Sequence, residues 1–131
     1  MASPNLLCTG SSDRLISFWD LRDSTTNISL TMPGHTGPVS SVSAHPTSAL
    51  LLASGSYDGT VRIWDARSPK QALFVLPLPP KEGGAEAGKK GEEKILAVDW
   101  DGERLAAGGE GARVVQWKVS GKEGGEPMVV E

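Results

Sequence analysis

The sequence predicts an all-β chain, on three observations. Residues 54–67, SGSYDGTVRIWDAR, read as one β-hairpin. Ser54 to Ser56 end a strand, Tyr57, Asp58 and Gly59 turn, and Thr60 to Asp65 return with Val61 and Ile63 on one side and Arg62 and Trp64 on the other. The same hairpin is written again before this copy and, in degenerate form, after it. Elsewhere, residues 27–32 alternate Ile28, Leu30 and Met32 with Asn27, Ser29 and Thr31, the period of a half-buried strand. A lone hairpin is marginal in water, so repeated hairpins imply sheets that cover one another.

Aligned on tryptophan, LLCTGSSDRLISFWDLR (6–22) matches LLASGSYDGTVRIWDAR (51–67) without a gap, at a spacing of 45 residues. LAAGGEGARVVQWKV (105–119) aligns through Trp117, 53 residues beyond Trp64. A period in the forties, with Gly34-His35 ahead, Asp58 in the turn and Trp64-Asp65 at the end, resembles the repeat of WD-repeat β-propellers. The whole chain looks like such repeats. The resemblance implies about two and a half to three four-stranded antiparallel blades, a C-terminal fragment of a propeller of about seven blades.

Each element follows in order. Residues 1–35 supply a partial blade, with strands b at 6–9, c at 15–20 and d at 27–32. Residues 36–78 supply a complete blade, with strand a at 39–44, b at 50–55, c at 60–65 and d at 71–76. His45-Pro46 turns a into b, where a proline lies outside the ladder. Residues 79–94, PPKEGGAEAGKKGEEK, lack apolar periodicity and read as a flexible Gly/Glu/Lys-rich insertion with trypsin sites at Lys81, Lys89, Lys90 and Lys94. Residues 95–131 form a degenerate last blade, with strands at 95–100, 105–108 and 113–119 and a short one at 128–130.

The resemblance also implies a site. In the family His35, Asp58, a strand-b hydroxyl (Ser54, in preference to Ser56) and Trp64 form a buried hydrogen-bond chain. Such groups are costly to bury unless every partner is met, so the network fixes register as well as adding stability. The first blade keeps Thr9, Asp13 and Trp19. The last keeps Trp117 but has Gly111 in place of Asp58 and Ala107 in place of Ser54, and must rely on packing by Ile95, Val98 and Trp100. On paper the set resembles a Ser-His-Asp triad. The structural reading is preferred, because the family leaves no cleft there.

Composition excludes other classes. The formal net charge of −3 offers no basic patch for direct nucleic-acid binding. A single cysteine, Cys8, forbids an internal disulfide and suits a reducing compartment. The longest apolar run, 49–53, is far too short for a bilayer, and MASPNLL does not read as a signal, so a soluble protein is expected. Asn27-Ile28-Ser29 and the Pro77/Pro80 spacing read as chance matches, and GGEGAR (108–113) as a turn whose glycine supplies positive φ rather than a phosphate cradle. Two histidines, no metal-ligand cluster and no nucleophile beside a base argue against an enzyme; no cofactor and no metal are expected.

Two strings bear on partners. Trp19-Asp20-Leu21-Arg22 and Trp64-Asp65-Ala66-Arg67 match the W-D-x-R motif of WD-repeat substrate receptors of cullin–RING ubiquitin ligases, which makes Arg22 and Arg67 candidate partner-binding residues; the plainer reading pairs each arginine with a local carboxylate. Trp64-Asp65-Ala66-Arg67-Ser68, the strand ILAVDW (95–100) and the degenerate last repeat resemble the WD-repeat subunit of the PeBoW (Pescadillo–Bop–WD-repeat; fungal Nop-seven) complex. The 79–94 insertion departs from that pattern. This resemblance implies a nucleolar, non-enzymatic scaffold for rRNA processing and large-ribosomal-subunit assembly. Its partners would be the β-propeller of the Bop-type subunit and, through it, Pescadillo and the pre-ribosome. No membrane contact is expected. The ligase receptor is the alternative. An open fragment of a ring should also self-associate or fold poorly alone, with Leu15, Val114 and Trp117 expected on its bare end faces.

Overall fold

A computed structural model of the protein describes residues 6–20, 28–48, 51–68, 70–78, 93–119 and 128–129. They form eleven strands in three antiparallel sheets, with no helix among them. The first sheet pairs β1 (Leu6–Gly10), β2 (Ile16–Asp20) and β3 (Ile28–Met32) in chain order. The middle sheet runs β4 (Val39–Ala44), β5 (Leu51–Ser56), β6 (Thr60–Asp65) and β7 (Phe74–Pro77). The last runs β8 (Ile95–Trp100), β9 (Arg104–Gly109), β10 (Val114–Lys118) and β11 (Met128–Val129). All-β blades of four strands, consecutive in sequence and in space, are the architecture the repeat implied.

Each strand alternates its side chains between two faces, and both faces of the middle sheet are covered. Val61, Ile63 and Leu76 pack toward the last sheet, against Ile95, Val98, Leu105, Val115 and Trp117. Leu52 and Trp64 point the other way, against Ile16, Phe18 and Met32 of the first sheet. The core is therefore two slabs, one at each junction between sheets. At about 25 cal/mol per Å² of apolar surface removed from water, it is these junctions that hold the blades.

Strand β4 and strand β8 are the first strands of their sheets, and both carry a bulge, at Val39/Ser41 and Ile95/Ala97. The bulge lets three serines of β4 reach across to β8. Ser40 Oγ donates to Ile95 O at 2.5 Å, Val98 N donates to Ser41 Oγ at 3.1 Å, and Trp100 N donates to Ser43 Oγ at 3.2 Å. These bonds satisfy backbone groups on an edge that has no ladder partner.

The structure departs from sequence expectation in several places. Strand β7 begins at Phe74 rather than at residue 71, because the ladder with β6 opens at Ile63↔Phe74 and the chain up to Leu73 is turning back from β6. Trp117 is not on a bare face. It is 2% exposed, turned back onto the middle sheet, while its neighbour Val114 is 64% exposed on the far side. Leu15 is half-buried. In the last hairpin the positive φ falls on Ala112, at 57°, and not on a glycine. The same position has φ 75° at Arg14 and 84° at Gly59, so all three hairpins share one turn and only the middle copy fills it with the residue that tolerates it. Of the insertion, residues 79–92 lie outside the described residues. Lys94, expected as a trypsin site, is exposed and holds its amine 4.9 Å above the Tyr57 ring.

Candidate functional site

The site lies in the middle sheet, where a turn before β4, the end of β5, the β5–β6 turn and β6 converge. Gly34 delivers His35 into it. A Cβ on Gly34 would stand 2.8 Å from Trp64 Cη2 and 3.0 Å from Arg62 Nη1, so the indole closes over a backbone that only glycine allows. That close approach is the physical reason for a glycine before the histidine.

The four groups form one continuous chain. The Trp64 indole can only donate, and does so to Ser54 Oγ at 2.8 Å. The Ser54 hydroxyl is then free to donate to His35 Nε2 at 2.6 Å, and His35 Nδ1 donates to Asp58 Oδ2 at 2.9 Å. A neutral imidazole with its hydrogen on Nδ1 completes every link. Asp58 also accepts Thr36 N at 3.0 Å on Oδ2, and Thr60 N at 2.8 Å and Thr60 Oγ1 at 2.6 Å on Oδ1. Burial alone would raise the Asp58 carboxyl, but hydrogen bonds from His35, the Thr60 hydroxyl and the backbones of Thr36 and Thr60 outweigh it and hold the group well below the usual carboxylate range.

Ser56, the other hydroxyl near the site, does something different. Its Oγ donates to the carbonyls of Gly37 and Pro38, at 3.0 and 2.8 Å, and accepts Asp58 N at 3.1 Å, tying the turn before β4 to the hairpin.

The arrangement has the order of a hydrolytic triad and none of its access. Ser54 is 0% exposed, and its acceptor position is held by Trp64. A nucleophile must reach the substrate carbonyl, and the oxyanion that develops on that carbonyl needs donors of its own. Among the described residues no group of three or more histidines, cysteines or acids is placed to hold a metal. The chemistry this site can do is to join the turn before β4, β5, the hairpin and β6 in one polar network.

In the first sheet Trp19 Nε1 donates to Thr9 Oγ1 at 2.9 Å, the equivalent of the Trp64–Ser54 bond. Asp13 stays local, accepting Leu15 N at 3.0 Å in its own turn. In the last sheet Ala107, Val115 and Trp117 replace the network with apolar packing. A Cβ on Gly111 would collide with the Glu93 carboxylate, which pairs with Arg113 at 3.1 Å. An acid brought in from the start of the blade thus fills the place that Asp58 occupies in the middle sheet.

Arg22 lies outside the described residues. Arg67 clasps Asp65 with both sides of its guanidinium, Nε to Oδ1 at 3.0 Å and Nη2 to Oδ2 at 2.7 Å, while Arg67 N also donates to Oδ1 at 2.9 Å. The side-chain bond from Arg67 is the main cause of a lowered Asp65 carboxyl. The local-carboxylate reading of the W-D-x-R string is what the geometry shows for this copy.

Sequence reasoning missed two sets of residues. One is the serine trio of β4. The other is a glycine at the same place in each hairpin, Gly10, Gly55 and Gly108, visible once the copies are stacked (LLCTG, LLASG, LAAGG). A Cβ on Gly10 would stand 2.5 Å from Val39 Cγ1, and one on Gly55 2.6 Å from Ile95 Cγ2. At Gly10 and Gly55 the following sheet seats its first strand, whereas Gly108 has nothing within 4 Å of a Cβ.

The middle sheet carries a Gly-His, an Asp-bearing turn and a terminal Trp-Asp, and residues 26–65 match the family model described as "WD domain, G-beta repeat". The chain's similarity then extends to proteins named "Ribosome biogenesis protein YTM1". It is 37% identical over 113 residues to that of Scheffersomyces stipitis, covering 83% of this chain and 23% of the relative. It is 41% identical over 110 residues to that of Aspergillus niger (74% and 22%), and 35% identical over 119 residues to that of Debaryomyces hansenii (87% and 24%). The chain spans about a quarter of the length of the curated relatives it matches.

Proposed function

We propose that this chain is part of a non-enzymatic WD-repeat scaffold that acts in ribosome biogenesis, in maturation of the large ribosomal subunit. The observation that carries the reading is the similarity to relatives named for ribosome biogenesis, at 35% identity over 87% of this chain in one case and 41% over 74% in another. The full burial of Ser54 supports a scaffold over a hydrolase. Its partners are proteins: the propeller of a Bop-type subunit and, through it, Pescadillo and the pre-ribosome. Its place of action is the nucleolus. The cullin–RING alternative receives no support from the relatives' names, and Asp65 holds the Arg67 guanidinium that it would use.

The blades proposed for the chain are 1–35, 36–78 and 95–131, with 79–94 as an insertion between the last two. The role proposed for His35, Ser54, Asp58 and Trp64, and for Thr9, Asp13 and Trp19 in their reduced set, is structural.

Affinity purification of the full-length parent protein, followed by mass spectrometry, tests the function. Large-subunit assembly factors should co-purify. Recovery of cullin subunits without them would replace the scaffold reading with the ligase one.

A further inference from the structure

The sequence holds two Asp-Gly pairs, Asp58-Gly59 in the turn from β5 to β6 and Asp101-Gly102 in the turn from β8 to β9. Both glycines have a left-handed backbone, φ 84° at Gly59 and 100° at Gly102, so each turn asks for glycine where it stands. Both carboxylates curl forward over the glycine to accept the amide two residues on. Asp58 Oδ1 accepts Thr60 N at 2.8 Å, and Asp101 Oδ1 accepts Glu103 N at 2.9 Å. Each bond closes a ring that contains both the carboxyl carbon and the glycine nitrogen. There the likeness ends. The Asp58 side chain is 5% exposed and held by three further donors, His35 Nδ1, Thr36 N and the Thr60 hydroxyl. The amide of its glycine is tied as well, Gly59 N donating to Ser56 O at 3.2 Å. Asp101 is exposed, with Arg104 N as its second donor at 2.7 Å. The Gly102 amide donates to no acceptor among the described residues.

We propose that Asp101 is a site of spontaneous isoaspartate formation, and that the hydrogen-bond network protects Asp58 from the same reaction. The Gly102 nitrogen bonds to Asp101 Cγ and gives up its proton. The carboxyl group gives up a hydroxyl, the two leave as water, and a succinimide ring closes. Water then opens the ring. Cleavage of the new Cγ–N bond restores aspartate. Cleavage at the Asp101 main-chain carbonyl leaves the chain running through Cγ, longer by a methylene, with a free α-carboxylate. Nothing is oxidised or reduced, and water is the only other reactant. Glycine suits the step because no side chain shields its nitrogen. An amide open to water can lose its proton directly, whereas one tied into a turn must wait for the turn to open. The place of the modification matters to the fold. A Cβ on Gly102 would stand 3.4 Å from Pro46 Cγ and 3.5 Å from His45 Nε2, so this turn lies against the turn that joins β4 to β5. Lengthening the main chain there presses on the contact between the middle and last sheets.

The test ages the full-length parent protein at neutral pH and body temperature, once folded and once in concentrated urea. Trypsin places the two pairs on different peptides, 95–104 and 23–62. Electron-transfer fragmentation separates isoaspartate from aspartate and locates it in each. In the folded protein isoaspartate should accumulate at Asp101 at least about tenfold faster than at Asp58, equivalent to ~1.4 kcal/mol of barrier. In urea the two rates should converge, because only the fold sets them apart. Equal rates in the folded protein, or faster conversion at Asp58, would overturn the proposal. So would an Asp101 that stays unchanged in the folded protein over a period in which it converts in urea. A difference that persists undiminished in urea would overturn it as well, by assigning the contrast to flanking sequence.

Discussion

Asp58 accepts hydrogen bonds from four donors while its side chain is only 5% exposed. Removing it strands His35 Nδ1 and the Thr36 amide. Asp58→Ala should cost ~1–3 kcal/mol, the range for a buried group left unsatisfied, read as a lower melting temperature. The sign with pH follows from the depressed carboxyl. The folded state holds the proton less tightly than the unfolded chain, whose aspartate titrates near ~3.9. The contribution is complete above that value and is lost as pH falls through it toward the lower folded pKa. The stability gap between wild type and Asp58→Asn should therefore narrow below about pH 4; a gap constant down to pH 2 would show that the carboxylate is not what the network holds. Ala112, at φ 57°, sits in a region that costs a non-glycine residue about 1 kcal/mol or more. Ala112→Gly should raise the melting temperature of the chain, and no change would mean the turn is unstrained. The residues of this network were named by the resemblance to WD repeats, and the chemistry of a donor-only indole, a hydroxyl, an imidazole and a carboxylate accounts for the bonds they make. Ala112 was not, since the glycines beside it mask which position bends. The burial that pushes the Cys8 thiol up to about 11 was equally invisible, coming from a neighbouring sheet.

Strands were read well where alternation and a turn residue agreed, as in β2, β4 and β6. They were read less well where tertiary context sets the end. β7 starts where the chain regains a ladder with β6, which no propensity encodes. The glycine seats were written in the sequence but mute there, because a glycine in a strand says only that something approaches. The structure supplies the something. Gly55→Ala should force Val98 and Ile95 away and cost ~1–3 kcal/mol, as overpacking does. Gly108→Ala meets open space and should instead gain ~0.4–1 kcal/mol by restricting the unfolded chain. Equal effects from the two, in matched thermal melts, would contradict the difference between a filled and an empty seat.

At the scale of the molecule, three sheets in series leave two ends. The last sheet ends in the open face around Gly108. The first ends in a face where Leu7 is 48% exposed and Trp19 half-buried, although their counterparts Leu52 and Trp64 are 2% and 0% exposed. Bare apolar faces of this kind recruit other chains. The isolated chain should elute above its monomer mass on a sizing column with light scattering. Leu7→Lys should shift it toward monomer, and Gly108→Leu should not. A sharp monomer peak with a cooperative melt for the unmodified chain would remove this expectation. That the end sheets expose apolar faces was legible from the repeat count alone. Which apolar side chains face outward was not, because Val114 and Val115 are neighbours of one type and only the pleat decides between them.

The serine trio has a consequence for exchange with solvent hydrogen. The amide of Val98 is protected by the Ser41 hydroxyl of the adjacent blade, and that of Trp100 is shared between the Ser43 hydroxyl and its own neighbour Asp99. The Val98 amide becomes exchangeable when the middle and last sheets part, even if both sheets stay intact, while the Trp100 amide keeps its bond to Asp99. Ladder amides within β5 and β6 need the middle sheet itself to open. In deuterium oxide, Val98 should exchange faster than Ile63 or Ala53, giving a direct gauge of how often one blade leaves the next. Ser41→Ala should speed exchange at Val98 without affecting the interior of β5; slower exchange at Val98 than at Ala53 would mean that the junction outlasts the sheet it joins.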